Sequence, residues 1–196
     1  MGFTHKILAK FSLFDLVIIA MMASLGIAVK TVIVPLTHII TGVLFIPGGA
    51  AAGGLYMMWL VLAVGITGKP GAATLTGFVQ ALVVMSTGIT GSHGALSLLT
   101  YTVPGIMADL GLLIIGHRVC CVGCAFLAGL MANAAGTALV NLAYFRLPLI
   151  PLVLSLSTAA LSGGLGGIIA HKILKQYRKF RQVGDPVPLT DSGNTQ

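Results

Sequence analysis

The run GALSLLTYTVPGIMADLGLLIIG, residues 94–116, is apolar along nearly its whole length and carries one charged residue, Asp109. A helix that crosses the hydrocarbon core of a bilayer needs about 20 consecutive, mostly apolar residues. The run is long enough, and it lacks the alternation of apolar and polar residues that a membrane β-strand would show. The sequence here therefore predicts a transmembrane helix that contains one carboxylate.

The composition of the whole chain indicates the same class of protein. Of its 196 residues, 57% are hydrophobic and 8% are charged, whereas soluble domains carry about 25% charged residues. We predict an all-α integral membrane protein, with residues 1–182 forming one domain of six transmembrane helices. The predicted spans lie near 13–34, 51–67, 70–88, 95–116, 119–143 and 149–171. Leu36–Gly49 is predicted to be an outer loop or re-entrant segment, and 183–196 a disordered cytoplasmic tail.

The basic residues are distributed unevenly between the two sides of a six-span arrangement. Lys30 and Arg146 fall on one side, and all other lysines and arginines fall on the opposite side: Lys6, Lys10, Lys69, Arg118, Lys172, Lys175, Arg178, Lys179 and Arg181. An excess of Lys and Arg marks the cytoplasmic side. We therefore expect a multi-pass protein of the cell membrane with both termini in the cytoplasm. The net charge of +7 follows from this bias and does not indicate binding of nucleic acid.

Inside two predicted spans, polar side chains recur at intervals that are multiples of four residues. Tyr101 and Asp109 share a face of the fourth span, and Asn133 and Asn141 share a face of the fifth. These side chains could line a solute-binding cavity, or they could make hydrogen bonds between helices. Asp109 is the strongest functional candidate, because a charge at a helix centre costs about 2.5–3.5 kcal/mol on insertion scales. Its alternative role is that of a protonated or hydrogen-bonded packing residue.

Further candidates for contact with a solute lie on other segments. Tyr56 and Trp59 lie on one face of the second span, where they could stack on an aromatic ring or simply pack. Gln80 lies midway along the third span. His93 lies in the glycine-rich connection TGITGSHGA, and His38 begins the broken segment after the first span; each is either a ligand contact or a solvated residue.

The sequence lacks a recognisable catalytic site. GITGKPGA lacks the glycine and the Ser or Thr that a phosphate-binding loop requires. Ser92 and His93 are predicted to lie outside and His117 and His171 inside, so no Ser–His pair with an acid can assemble across the membrane. Cys120, Cys121 and Cys124 have no accompanying cluster of metal-ligand spacing, so we expect reduced, apolar thiols, with palmitoylation as the alternative. We predict no enzyme activity, no resident metal and no cofactor.

The first predicted span carries small residues at intervals of four, namely Ala20, Ser24 and Ala28. Small side chains let another helix approach closely. This flank could pack against a partner protein or against another helix of the same chain.

These features resemble the substrate-binding S components of energy-coupling factor (ECF) vitamin importers. The shared features are six spans in a chain of this size, both ends inside, and the small-residue flank on the first helix. Within Leu55–Leu113, the segments GKPGAATLTGFVQALVVMSTG and VPGIMADLG resemble the YkoE-like branch, which handles thiamine or its hydroxymethylpyrimidine precursor. The resemblance implies a membrane-embedded solute-binding protein that works with a transmembrane coupling subunit and two ATPase subunits.

The sequence differs from the YkoE-like branch at one point that concerns the solute. That branch carries acids within the third span, where this sequence has Gly77 and Val84. A cationic thiazolium would therefore meet only Asp109, and a neutral heterocycle fits at least as well as thiamine itself. The rival interpretation is a stand-alone carrier that uses Asp109 for proton coupling.

Overall fold

The computed structural model describes residues 11–41, 48–88, 94–116 and 119–184, with side chains described as far as 181. These residues form six helices and no strand, which confirms the predicted all-α fold. The helices are α1 (Leu13–Thr41), α2 (Gly48–Thr67), α3 (Ala72–Thr87), α4 (Ser97–Ile115), α5 (Val122–Val140) and α6 (Leu149–Gly184). A 3-10 turn, Gly94–Leu96, precedes α4, and a π-helical turn, Asn141–Phe145, follows α5.

Five of the six helices are long and apolar enough to cross a membrane, and this confirms a multi-pass membrane protein. Helix α3 has 16 residues and is about 24 Å long at 1.5 Å per residue, shorter than a hydrocarbon core of about 30 Å. Glycines in the left-handed conformation end it on both sides, Gly71 with φ 89° and Gly88 with φ 62°. Because a residue with a Cβ is strained at such angles, these glycines fix the length of α3.

Two helices run well beyond their predicted ends. Helix α1 continues through Pro35 to Thr41, so the first part of the predicted loop Leu36–Gly49 is helical, while 42–47 lie outside the described residues. Membrane helices tolerate an internal proline because neighbouring groups satisfy the freed carbonyl. Helix α6 continues to Gly184, beyond the predicted end at 171, because hydropathy marks where a helix leaves the membrane and not where it ends. Of the predicted tail, 185–196 lie outside the described residues.

Helix α2 is the most buried of the spanning helices and packs on α1, α3, α5 and α6. Glycines bring α6 against its neighbours at backbone distance. A Cβ added to Gly163 would collide with the carbonyl oxygen of Gly129 on α5, and one added to Gly166 would collide with that of Gly54 on α2. Small residues at these crossings permit the dispersion contacts that hold helices together in lipid.

Basic side chains join the helices at one end of the bundle. The Lys69 Nζ atom lies 2.5 Å from Asp15 Oδ2, which ties the turn between α2 and α3 to the start of α1. Arg178 on α6 donates to the carbonyl of Val119 at 3.3 Å and to that of Gly65, in the last turn of α2, at 3.5 Å. Lys69 and Arg178 therefore lie at the same end, as the charge distribution predicts.

Candidate functional site

A cavity of about 180 Å³ lies at the opposite end of the bundle, beside the first turn of α2. Helices α1, α2, α4 and α5 and the π-helical turn form its wall. Its polar and aromatic lining consists of Lys30, His38, Tyr56, Thr100, Thr137 and Phe145. Val34, Met57, Val140 and small residues complete a largely apolar surface. A concave, mostly apolar site with a few polar groups is the usual form of a small-molecule pocket.

The ammonium group of Lys30 is the single formal charge of the described lining. Its Nζ atom donates a hydrogen bond of 2.7 Å to the hydroxyl of Tyr101. It also lies 4.0 Å from the ring centroid of Tyr101 and 5.4 Å from that of Tyr56, within the range of cation–π attraction. Tyr56 is itself oriented by a hydrogen bond of 2.8 Å from its hydroxyl to the carbonyl of Gly49. Two aromatic faces therefore hold one cation at the cavity.

The two asparagines predicted from α5 support the cavity wall. Asn133 donates from Nδ2 to the carbonyl of Ala50, which lines the cavity, at 3.0 Å and to that of Ala159 at 2.8 Å. It therefore links α5 to α2 and α6. The Oδ1 atom of Asn141 accepts a hydrogen bond of 3.3 Å from the backbone N–H of Leu147, across the π-helical turn. Neither asparagine lines the cavity.

Asp109 lies at the N-terminus of α3 and does not line the cavity. Its Oδ2 atom accepts hydrogen bonds from Thr74, 2.8 Å from the backbone nitrogen and 2.6 Å from the hydroxyl oxygen. An added Cβ at Gly105 would lie 2.5 Å from the carbonyl oxygen of Ala73, so this face of α4 packs tightly on α3. The polar face of the fourth span thus does not converge on the cavity as the spacing suggested; only Tyr101 reaches it, through Lys30.

The remaining predicted contacts lie elsewhere. Gln80 is buried between α3 and α1, with Nε2 3.5 Å from the carbonyl oxygen of Ala23. Trp59 is half-buried, and it does not line the cavity. His93 lies outside the described residues. Among the predicted candidates, Tyr56 and His38 line the cavity, and Tyr101 contacts the lining residue Lys30.

Sequence reasoning missed the lysine. It used Lys30 to assign the orientation and did not consider it as a site residue, although an ionisable residue inside an apolar run is a functional candidate by default. The same argument, that an ionisable residue inside an apolar run is a functional candidate, was made for Asp109 and holds equally for Lys30. The π-helical turn places Phe145 at the cavity, and we found no sequence pattern that predicts such a turn.

The small-residue flank of α1 is not covered by the part of the chain that the structure describes. Ala20, Ser24 and Ala28 are all exposed. The Ser24 hydroxyl donates to the carbonyl of Ala20 at 2.9 Å, so its polar group is satisfied within the helix. Packing of this flank within the described chain, the alternative left open by the sequence, is therefore wrong.

The three cysteines cluster at the start of α5, and their sulfur atoms lie within 4.8 Å of one another. Cys124 is buried, but Cys120 and Cys121 are exposed, so the expectation of apolar packing is wrong for these two. Hydrogen bonds from the thiol and the backbone N–H of Cys124 lower the pKa of the Cys121 thiol. Cys121 is thus an exposed thiol that ionises more readily than an ordinary cysteine.

Comparison with known proteins identifies the family. Residues 14–135, more than half of the chain, match the family described as "ABC-type cobalt transport system, permease component". A solved structure, "Crystal structure of an S-component of ECF transporter", has a TM-score of 0.72 with 19% sequence identity over 88% of each chain, which confirms the fold expected from the resemblance. No curated protein matches the chain. The chain belongs to the family of permease components of ABC-type cobalt transport systems, a family of transport proteins and not of enzymes.

Proposed function

We propose that this protein is the membrane-embedded substrate-binding (S) component of an ECF-type ABC importer. It captures a small vitamin or vitamin precursor from outside the cell for ATP-driven uptake. The observation that carries the proposal is the cavity of about 180 Å³ at one end of the bundle, walled by four helices and a π-helical turn. A pocket of this kind suits reversible capture of a small molecule.

An organic solute accounts for the cavity better than a bare metal ion. The family description names cobalt, and a divalent cobalt ion requires several nitrogen, oxygen or sulfur donors. The described lining offers one imidazole, that of His38, and places the ammonium group of Lys30 where it would repel a cation. The same ammonium group disfavours thiamine, whose thiazolium ring is positively charged. The thiamine-related pyrimidine favoured by the sequence resemblance is neutral and stays within the proposal.

The exposed flank of Ala20, Ser24 and Ala28 supports a partner role for α1. We propose that a transmembrane coupling subunit docks there and transmits the action of two ATPase subunits. Lys69 and Arg178 lie at the end opposite the cavity. With that end in the cytoplasm, both termini are cytoplasmic and the cavity faces outward, which is the arrangement an importer requires.

A stand-alone proton-coupled carrier is not favoured by any feature of the cavity. Such a carrier would use Asp109 beside the solute, but the Asp109 carboxylate binds Thr74 at the N-terminus of α3 and is absent from the lining. Among the described lining residues there is no other carboxylate to serve instead.

Uptake in cells with and without a coupling module tests the proposal. The chain would be expressed alone, or together with the coupling subunit and both ATPases, in cells that lack their own uptake of 4-amino-5-hydroxymethyl-2-methylpyrimidine. Accumulation of this labelled pyrimidine, or of labelled nicotinate or biotin, should require the complete module and its ATP hydrolysis. Accumulation by the chain alone, collapsing when the proton gradient is dissipated, would instead establish the carrier.

A further inference from the structure

We infer that the molecule captured in this cavity carries a carboxylate group, and that the ammonium group of Lys30 binds it. The inference rests on the proposed function, because it concerns the same cavity, and it narrows the class of solute. It follows from the charges of the chain, from the hydrogen bonds of Lys30 and from the apolar character of the remaining lining.

Within the part of the chain that the structure describes, no acid forms an ion pair with Lys30. It has four acidic residues. Asp15 pairs with Lys69, and Asp109 binds Thr74. The other two, Asp185 and Asp191, lie outside the described residues.

The segments between α1 and α2 and between α3 and the turn before α4, which the structure does not describe, add no acid in sequence. Residues 42–47 read GVLFIP and residues 89–93 read ITGSH, so neither contains an acid. An unpaired ammonium group in a low-dielectric site is unfavourable. A bound anion would offset part of that penalty.

Lys30 also retains hydrogen-bonding capacity for a ligand. An ammonium group has three N–H donors, and among the described residues Nζ has one acceptor, the Tyr101 hydroxyl at 2.7 Å. The rings of Tyr101 and Tyr56 hold the ammonium group in place. Two N–H groups thus remain to bind carboxylate oxygens, which form stronger hydrogen bonds with a cation than neutral acceptors do.

The rest of the lining indicates a monoanion with an apolar body. Val34, Met57, Val140 and Phe145 surround the polar corner at Lys30. One carboxylate matches the one lysine of the described lining. The expected solute is therefore a small carboxylic acid whose other end is aliphatic or aromatic.

Matched pairs of an acid and its amide test this inference. The purified full chain in detergent would be titrated with nicotinate and nicotinamide, with biotin and its carboxamide, and with the neutral hydroxymethylpyrimidine. The midpoint of thermal unfolding would be measured at each ligand concentration. At least one acid should raise the midpoint, and its amide should not. Lys30→Gln should weaken binding of that acid at least about tenfold, the effect of losing a charged hydrogen bond. Lys172→Gln, at an exposed lysine of α6, should leave it unchanged.

The outcomes separate this inference from the proposed function. If the pyrimidine or an amide raises the midpoint as much as the acids do, the inference fails while capture of a small molecule stands. If neither acid raises the midpoint, the inference also fails, and the proposed function is then decided by the uptake measurement. If Lys30→Gln folds poorly, Lys30→Arg is the second variant. It keeps the positive charge and should preserve the preference for acids over amides. Loss of that preference in a folded Lys30→Arg variant would contradict the inference that Lys30 binds a carboxylate.

Discussion

The carboxylate of Asp109 accepts two hydrogen bonds from Thr74, with its Oδ2 atom 2.8 Å from the backbone nitrogen and 2.6 Å from the hydroxyl oxygen. Thr74 lies in the first turn of α3, where backbone N–H groups have no partner within the helix. A carboxylate from α4 thus satisfies the start of α3, as a side chain of α3 itself would in an ordinary N-cap. This contact explains how a span can contain an acid that does not line the cavity.

We expect Asp109→Leu to destabilise the protein by about 1–3 kcal/mol, because it leaves buried donors of Thr74 unpaired. Asp109→Asn retains an acceptor oxygen and should lose less. Thermal unfolding in detergent measures both effects. Thr74→Val provides the matched comparison, since it removes the hydroxyl donor and keeps the backbone N–H. If Asp109→Asn were as stable as the wild type but took up no solute, Asp109 would contact solute as the sequence suggested.

The crossing of α5 and α6 should not tolerate a single added methyl group at Gly163. In Gly163→Ala the new Cβ would collide with the carbonyl oxygen of Gly129 and lie 2.7 Å from Cβ of Asn133. The helices would have to separate, and overpacking of this kind costs about 1–3 kcal/mol. The yield of folded protein and its unfolding midpoint should both fall.

Gly123→Ala, also at a helical glycine, is the control for that substitution. The nearest atom to its Cβ would be the Cys121 sulfur at 3.8 Å, an ordinary contact distance, and alanine favours helix over glycine. Its stability should equal or exceed that of the wild type. Equal destabilisation by both substitutions would show that helix packing at Gly163 is looser than the structure has it.

The fold was predictable because hydropathy reports directly on the constraint that a bilayer imposes. All six helices lie where apolar runs occur, and the side of Lys69 was assigned correctly relative to Arg178. Helix ends were less predictable. Helix α6 runs on through charged residues to Gly184, since leaving the membrane does not terminate a helix.

The site was predictable only in part, because spacing identifies a shared face but not the neighbour that the face contacts. Tyr101, Gly105 and Asp109 are spaced by four and share a face of α4 as predicted, yet Gly105 lets that face pack on α3. The cavity depends on how α1, α2, α4 and α5 are arranged in space, which a single sequence does not reveal. Lys30 could have been found from its position within an apolar run.

The flank on α1 gives a prediction about coupling. Ser24→Phe places a large side chain on an exposed surface, so the isolated protein should keep its stability and its affinity for carboxylates. Docking of a partner helix should be blocked, because small residues are what permits close approach. Uptake through the complete importer should therefore fall to background.

Leu161→Phe is the matched control for Ser24→Phe, since Leu161 is exposed on α6 at 65% of its surface. It places the same phenylalanine side chain away from the flank and should leave uptake intact. If both variants transport normally, the coupling subunit does not dock at Ala20, Ser24 and Ala28. If Ser24→Phe loses carboxylate binding together with uptake, the effect is on the fold or cavity and not on docking.

The exposed thiol of Cys121 provides a test of orientation. Hydrogen bonds from the thiol and the backbone N–H of Cys124 lower the pKa of the Cys121 thiol, so more of it is thiolate at neutral pH and it should react readily with maleimides. In a Cys120→Ser background, a membrane-impermeant maleimide should label the protein in permeabilised cells but not in intact cells. Cys124→Ala removes one of these hydrogen bonds, so the pKa should rise towards its ordinary value and labelling near pH 7 should slow.

A cysteine at the opposite end of the bundle completes the orientation experiment. Ile40 is 72% exposed near the end of α1, on the side of the cavity. In a variant without the native cysteines, Ile40→Cys should be labelled by the same maleimide in intact cells. Labelling of Cys121 in intact cells, with Ile40→Cys protected, would reverse the orientation. The cavity would then open to the cytoplasm, and a protein so arranged could not capture solute from outside.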